Sequence, residues 1–263
     1  MMHKCLYTDI SAILTLLRKD IPNCFYMYVD IAKYTLEHPH MEVWVDIQDN
    51  SPVSVVMKYF NSMQVYALPH ANLESIAECI MREQVPIITG TAETFEHLLP
   101  FLGGKYELSY GWVFEVTKFR LTPCPDPIVP AREEELTECA ALICEDEVIG
   151  GHYTCESLAQ QLLERMRDGM GRNYVIHKNG RIIAHIATYA EFENLAVSSG
   201  LIVDPAYRDV PYGTYLESYL FNQLLIEGKR VFSFIRSPKR VKFYNALGVT
   251  KSWRNGKLLL KKQ

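Results

Sequence analysis

Leu201-Ile202-Val203-Asp204-Pro205-Ala206-Tyr207-Arg208-Asp209-Val210-Pro211-Tyr212-Gly213-Thr214 is the stretch whose reading decides the fold. Tyr215, Leu216, Tyr219, Leu220, Leu224 and Leu225 follow at helical spacing, and Gly228 stands where a helix-ending glycine belongs. The segment therefore reads as strand, loop and helix. A loop running into a helix N-terminus turns free backbone N–H groups outward, and the helix dipole adds positive potential there. That is anion-binding chemistry, so the segment is expected to seat a phosphate-bearing cofactor. Gly213 lets backbone approach a ligand, and Arg208 offers a charge-assisted contact to phosphate. On these two residues alone, an ordinary connection with a solvent-facing arginine is the favoured reading, and the segment that follows reverses it.

Downstream, Lys229–Arg236 reads as a strand, and Ser237-Pro238 opens a short helix through Val241, Phe243, Tyr244 and Leu247 to Gly248. Upstream, Glu133–Glu145 and Thr154–Arg167 read as helices, the second capped by Thr154 with Leu158, Leu162 and Met166 on one face. Tyr174–His177 and Ile182–Thr188 are strands joined through Asn179-Gly180, a strong hairpin signal. A third strand runs from about Leu195 to Val203.

The boundary toward the N-terminus is Pro-rich. Four prolines in the eight residues Pro123–Pro130 exclude helix and central strand, so 122–130 reads as an extended linker. Two domains are expected, residues 1–121 and 131–263. In the first, a helix begins near Ile10, Val43–Ile47 and Val53–Phe60 form a hairpin, Leu73–Arg82 is a second helix, and Pro86–Thr89 and Trp112–Val116 are strands. His38 and His40 are read as loop residues, because Pro39 separates them and no third ligand follows.

At 48% hydrophobic and 22% charged, the chain has ample material for a packed core. No apolar run reaches membrane-spanning length, and Met1–Asp9 does not read as a signal peptide. Seven cysteines, none in a C-x-x-C pair, argue against a disulfide framework and a zinc site, so a cytoplasmic protein without a metal is expected. Beyond Glu227 the chain carries eleven basic residues, from Lys229 to Lys262, and no acidic one. Nucleic acid is not the expected partner, because no aromatic-interleaved basic surface or known module is present. No membrane partner is expected either.

Together, Asp204–Gly213 and Ser237–Val249 resemble the two signature segments of the GNAT superfamily of acetyl-CoA-dependent N-acetyltransferases. The first matches the cofactor motif [Q/R]-x-x-G-x-[G/A]. The second matches N-P-x-x-x-x-x-Y-x-x-L-G-F, with Ser237-Pro238 at its start and Tyr244, Leu247, Gly248 and Val249 at its end. The resemblance covers about residues 133–263. It implies an α/β (α+β) fold, a mixed twisted sheet flanked by helices, with the cofactor's pantetheine arm in a splay between the strand ending at Val203 and the one from Arg230. It implies acetyl-CoA held by Leu201, Ile202, Val203, Arg208, Asp209, Val210, Pro211, Tyr212, Gly213, Thr214, Ser237 and Tyr244. It further implies an acyltransferase acting on an amine of a small molecule or peptide, with Tyr244 protonating the leaving thiolate. Glu191 and Glu193 fall near the position of the family's carboxylate base, and His185 is a second choice for that role. Ser198 and Ser199 would line the acceptor cleft.

Two departures from the pattern matter for the cofactor. Pro211 replaces the first motif glycine and removes one amide from the phosphate cradle, and Asp209 adds a negative charge beside it. A non-catalytic acyl-CoA-binding module is therefore the alternative reading. The element order of residues 1–121 loosely parallels 133–203, as in a degenerate second copy that walls the acceptor cleft or mediates self-association.

Overall fold

The computed structural model describes residues 2–261 except 148, 152 and 250. In chain order the elements are β1 (His3–Lys4), α1 (Ile10–Leu17), α2 (Ile21–Tyr34), β2 (Met41–Gln48), β3 (Ser51–Tyr59), β4 (Ser62–Ala67), α3 (Leu73–Glu83), β5 (Ile87–Thr91), α4 (Ala92–Leu98) and β6 (Tyr106–Val116). They continue with β7 (Val129–Pro130), α5 (Leu136–Cys144), α6 (Cys155–Arg167), β8 (Asn173–Lys178), β9 (Arg181–Phe192), β10 (Leu195–Val203), α7 (Tyr212–Ile226), β11 (Arg230–Ile235), α8 (Pro238–Ala246) and β12 (Ser252–Leu260). The contacts divide the chain into two units. Unit 1 is Met1–Val113 with Ile235–Val241 and Ser252–Gln263, and unit 2 is Phe114–Phe234 with Lys242–Lys251.

In unit 1 the strands run in the order β1-β2-β3-β4-β5-β12-β6. The β2–β3 hairpin turns through Asp49 and Asn50, both at positive φ (48° and 58°), which matches the strand twist. β4 and β5 are parallel, and α3 makes the crossover between them. β12 then pairs antiparallel with β5, Asn255 opposite Thr91 through Leu259 opposite Ile87. Leu258 is buried in one cluster with Trp44, Val56, Ile76, Ile80 and Phe95. Two glycines make this packing close. A Cβ on Gly256 would stand 2.6 Å from a Phe95 ring carbon, and one on Gly90 would stand 2.7 Å from the Val65 carbonyl oxygen.

Unit 2 repeats the plan. β7-β8-β9-β10-β11 are consecutive neighbours, antiparallel until β10 and β11, which are parallel with α7 as crossover. The β8–β9 turn is formed by Asn179 and Gly180 at φ 52° and 74°, as the sequence predicts. Thr154 caps α6 by accepting from the Ser157 amide at 3.1 Å, and Leu158 and Leu162 are buried with Leu136, Ile143, Val175 and Ile202. Gly228 closes α7 at φ 75°.

The units are bounded differently from the expected 1–121, 122–130 and 131–263. The last strand belongs to unit 1, because its ladder and its buried leucine are there. The Pro-rich segment is not a free connector. The Thr122 amide donates to Ser218 Oγ at 2.6 Å, Asp126 accepts from the Tyr212 hydroxyl, and β7 pairs with β8 as an edge strand where Pro130 is tolerated. α2, β4, α4 and β12 went unread in the sequence. Among the described residues, no helix is long and apolar enough to cross a membrane.

Candidate functional site

The two parallel strands of unit 2 part company early. β10 pairs with β11 only from Leu195 opposite Arg230 to Ser198 opposite Ser233, although β10 runs on to Val203. On its other side the β10 register with β9 shifts between Val197 and Ser198 and again between Ser199 and Ile202. The strands therefore splay beyond Ser198 and Ser233, and backbone groups of β10 on the β11 side are released from the ladder there.

His185 holds this irregularity in place. It is fully buried on β9, with Nδ1 at 2.8 Å from the Gly200 carbonyl oxygen and Nε2 at 3.0 Å from Asn173 Oδ1. Both ring nitrogens face oxygen acceptors, and a neutral imidazole, with one N–H, donates to one of them at a time. Burial pushes the His185 pKa down to about 4. Gly200 sits at φ 62°, and a Cβ there would stand 2.9 Å from the Tyr189 hydroxyl and 3.2 Å from His185 Cε1. His185 is thus a structural clamp and not a free base. One consequence is acid sensitivity. The unfolded chain binds the proton near pH 6.5 and the folded one only near 4, so stability is full above 6.5 and declines as pH falls to 4. The expected loss at pH 4 is about 3 kcal/mol. Urea titrations at several pH values should show it, and a flatter profile in His185→Gln.

Beyond Val203 the loop is ordered by its own bonds. Asp204 accepts from the Ala206 amide, and Tyr207 and Arg208 close a short 3-10 turn. α7 begins at Tyr212 with Pro211 preceding it and no side-chain cap. The amides of Asp209 and Gly213 make no backbone hydrogen bond to a described residue. A Cβ on Gly213 would meet the Leu201 and Val203 side chains at 3.8 Å, so these three residues gather at the mouth of the splay. That is ordinary contact, so steric room alone does not demand glycine at 213. Thr214 follows as the third helical residue.

Ile202 faces the other way, toward α5 and α6. It lines a cleft of about 240 Å³ with Leu142, Glu145, Asp146, Glu147, Pro205 and Arg208. Arg208 is tied down: its Nε donates to the Val203 carbonyl at 2.9 Å, and Nη2 lies 3.5 Å from Asp146. Asp146 and Tyr189 are site residues that the sequence reading missed. Neither lies near a motif, and only the fold brings them to this end of β10.

Several sequence expectations need correction. Tyr212 is a core residue whose hydroxyl donates to Asp126, with Lys178 3.2 Å from that carboxylate. The hydrogen bond holds the Tyr212 pKa above its usual range. Tyr244 is fully buried and donates to Glu217 Oε1 at 2.8 Å, among Phe114, Phe119 and Phe221. A buried hydroxyl already spent on a carboxylate cannot meet a leaving thiolate. Glu191 is bound by Arg172 through Nε and Nη2 at 2.6 and 2.7 Å, by the Thr188 hydroxyl at 2.6 Å and by Lys229 at 3.3 Å. With its lone pairs directed to those donors, it is no base for a substrate. Glu193 is an exposed turn residue at φ 50° between β9 and β10, at the end of β10 opposite the loop. Ser237 is exposed before Pro238 and is grouped with unit 1. Asp209 and Pro211 are exposed, and Val210 is half-buried.

If Tyr244 were the general acid, Tyr244→Phe would slow turnover and leave stability intact. The buried Glu217 contact predicts the reverse. Stability should fall by about 1–3 kcal/mol, because a buried carboxylate loses a donor. Turnover per folded molecule should be unchanged, as chemical denaturation and a thiol-release assay will show.

No protein-family model matches the chain, and no curated protein sequence matches it. Solved structures do. A Drosophila protein is similar over 99% of this chain and 98% of its own, with 12% identity and a TM-score of 0.72. A GCN5-related N-acetyltransferase-like protein from Streptococcus suis is similar over 96% of this chain and 100% of its own, at 14% identity and a TM-score of 0.64. The chain has the GNAT fold. A tandem GNAT protein from the clavulanic acid biosynthesis pathway matches all of this chain and 99% of its own, at 13% identity and a TM-score of 0.60. The repeated plan of units 1 and 2 is therefore a GNAT-like fold occurring twice, and the N-terminal half is a GNAT-like copy.

Proposed function

We propose that unit 2 binds acetyl-CoA along the β10–β11 splay and transfers the acetyl group to an amine of a small molecule or peptide. The observation that carries this reading is the joint geometry of the splay and the uncapped N-terminus of α7 beyond it. Unit 1 supplies the contrast. Its β4 and β5 are also parallel, but α3 is capped by the Asn72 side chain, which accepts from Ser75 N at 3.1 Å. A helix N-terminus satisfied by its own side chain has little left for phosphate. The anion-binding end of the repeated plan is open in unit 2 alone of the two helices compared.

The residues present fit the cofactor's chemistry. The amides of Asp209 and Gly213 and the start of α7 would hold its diphosphate, with Thr214 at the helix entrance. Leu201 and Val203 would flank its pantetheine arm. Acetyl-CoA supplies an activated thioester. The backbone of β10 released beyond Ser198 would polarise the thioester oxygen, as preorganised amides stabilise a developing oxyanion. The amine nitrogen forms its bond to the acetyl carbon, the carbon–sulfur bond breaks, the amine's proton leaves to water and the thiolate takes one from water. Placement of the two reactants then accounts for most of the acceleration, because Tyr244, Glu191 and His185 are all engaged elsewhere.

The same engagement favours a second reading, an acyl-CoA-binding module that performs no transfer. Thiol release from acetyl-CoA, measured over a panel of small and peptide amines, separates the two. Amine-dependent release supports transfer. Saturable binding with no release from any amine supports the module.

A further inference from the structure

We propose that unit 1 carries an oxyanion-binding site formed by Arg236, Lys257 and Asn255. The three residues come from two segments that the fold brings together. Asn255 and Lys257 are two positions apart on β12, so they share one face. Gly256 between them faces Phe95 and Ala92 of α4, so Asn255 and Lys257 face the other side, where α2 lies against β12. Arg236, just after β11, reaches the same place, with Nη2 donating to Asn255 Oδ1 at 3.1 Å.

Asn255 is itself fixed. It is buried, and its Nδ2 donates to the Gly90 carbonyl at 2.8 Å, which turns Oδ1 toward the guanidinium. Gly111 closes the other flank. A Cβ there would stand 3.1 Å from Arg236 Cγ and 3.3 Å from Nη1, so the guanidinium lies directly on bare backbone. Nη1 is buried and has no hydrogen-bond partner among the described residues. Lys257 is beside it. Burial pushes the Arg236 pKa down to about 10, and burial together with Arg236 pushes Lys257 down to about 8. Neither shift includes a compensating carboxylate.

Two neighbouring cations withdrawn from water, one with an idle donor, are costly as they stand. A protein can answer this with an acidic side chain, and among the described residues no carboxylate acts on the charge of either cation. An external anion supplies what is missing: acceptor oxygens for Nη1 and for the Lys257 ammonium, and a negative charge between them. A planar fork beside a point charge suits a carboxylate or a phosphate. The site would give the GNAT-like unit with the capped helix an anion site of its own.

The experiment is thermal unfolding of the full chain in phosphate, in acetate and in chloride at matched ionic strength, with Thr214→Glu as background so that the loop of unit 2 does not respond. The site predicts saturable stabilisation by phosphate or acetate above chloride, by several degrees, with mass-action dependence on concentration. A response to phosphate alone marks a phosphate site, and a response to acetate marks a carboxylate site. Lys257→Met and Arg236→Met should abolish the response. Lys257→Met should also melt higher than its parent in chloride, since it removes one of two repelling charges, so loss of the response cannot be ascribed to misfolding. No stabilisation beyond chloride, or an equal response in Lys257→Met, would overturn the proposal.

Discussion

Deletion of residues 252–263 unfolds unit 1, although that unit is built mainly from the first 113 residues. The deleted strand is hydrogen-bonded to β5 over five residue pairs and lies between β5 and β6 in the sheet order. Its loss turns an interior ladder into a bare edge. It also removes Leu258, which is fully buried. That leucine alone accounts for about 2–5 kcal/mol of stabilisation, against a total of roughly 5–15 for a domain. Circular dichroism and limited proteolysis of the truncated chain should find residues 1–113 digested rapidly. A peptide spanning 252–263, added in trans, should restore protection. Protection of 1–113 without either strand or peptide would refute the assignment of β12 to unit 1.

Arg172→Ala has the second large effect. Glu191 is buried near the end of β9, and Arg172 binds both of its oxygens while reaching Glu227 at 2.7 and 2.8 Å. Glu227 and Glu191 hold the guanidinium well above its ordinary range. Removing the cation leaves Glu191 with Thr188 and Lys229 as donors. Breaking a buried pair from one side costs about 3–5 kcal/mol, and Lys229 should keep the loss near the lower figure. Replacing both partners, Arg172→Met with Glu191→Leu, should recover much of it, since an apolar pair of similar volume leaves no buried charge. Urea unfolding of the two single variants and the double variant measures the coupling. Glu191→Gln adds a functional test: the folded protein should keep the proposed acetyl transfer, whereas a catalytic base at 191 would require its collapse.

Local chemistry explains which parts of this molecule could be read from its sequence. Asn179-Gly180 predicts its hairpin because both residues take positive φ cheaply, and Thr154 predicts the start of α6 because its hydroxyl caps the helix. The loop and helix after Val203 were legible for the same reason: proline, glycine and helical periodicity act within a few residues. β12 was not, because its partner β5 lies more than 160 residues away and its Leu258-Leu259-Leu260 run has no alternation of its own. The aim of a side chain was equally illegible. Tyr244 occupies the motif position, yet its direction is set by Glu217, 27 residues distant, and Glu191 is claimed by Arg172 across 19. Their places in the chain follow from the sequence, and packing decides where their side chains point.

The proposed cofactor site rests on the open end of α7. Acetyl-CoA binding by calorimetry to the wild-type chain and to Thr214→Glu tests it most directly. Glutamate at the third helical position suits the helix dipole, so the variant should fold and melt as the parent does, while its carboxylate occupies and repels the phosphate position. An open helix end that seats the diphosphate gives saturable binding to the wild type and at least a tenfold loss in the variant at unchanged melting temperature. Equal affinity for both proteins, or no binding to the wild type at millimolar acetyl-CoA, would contradict it.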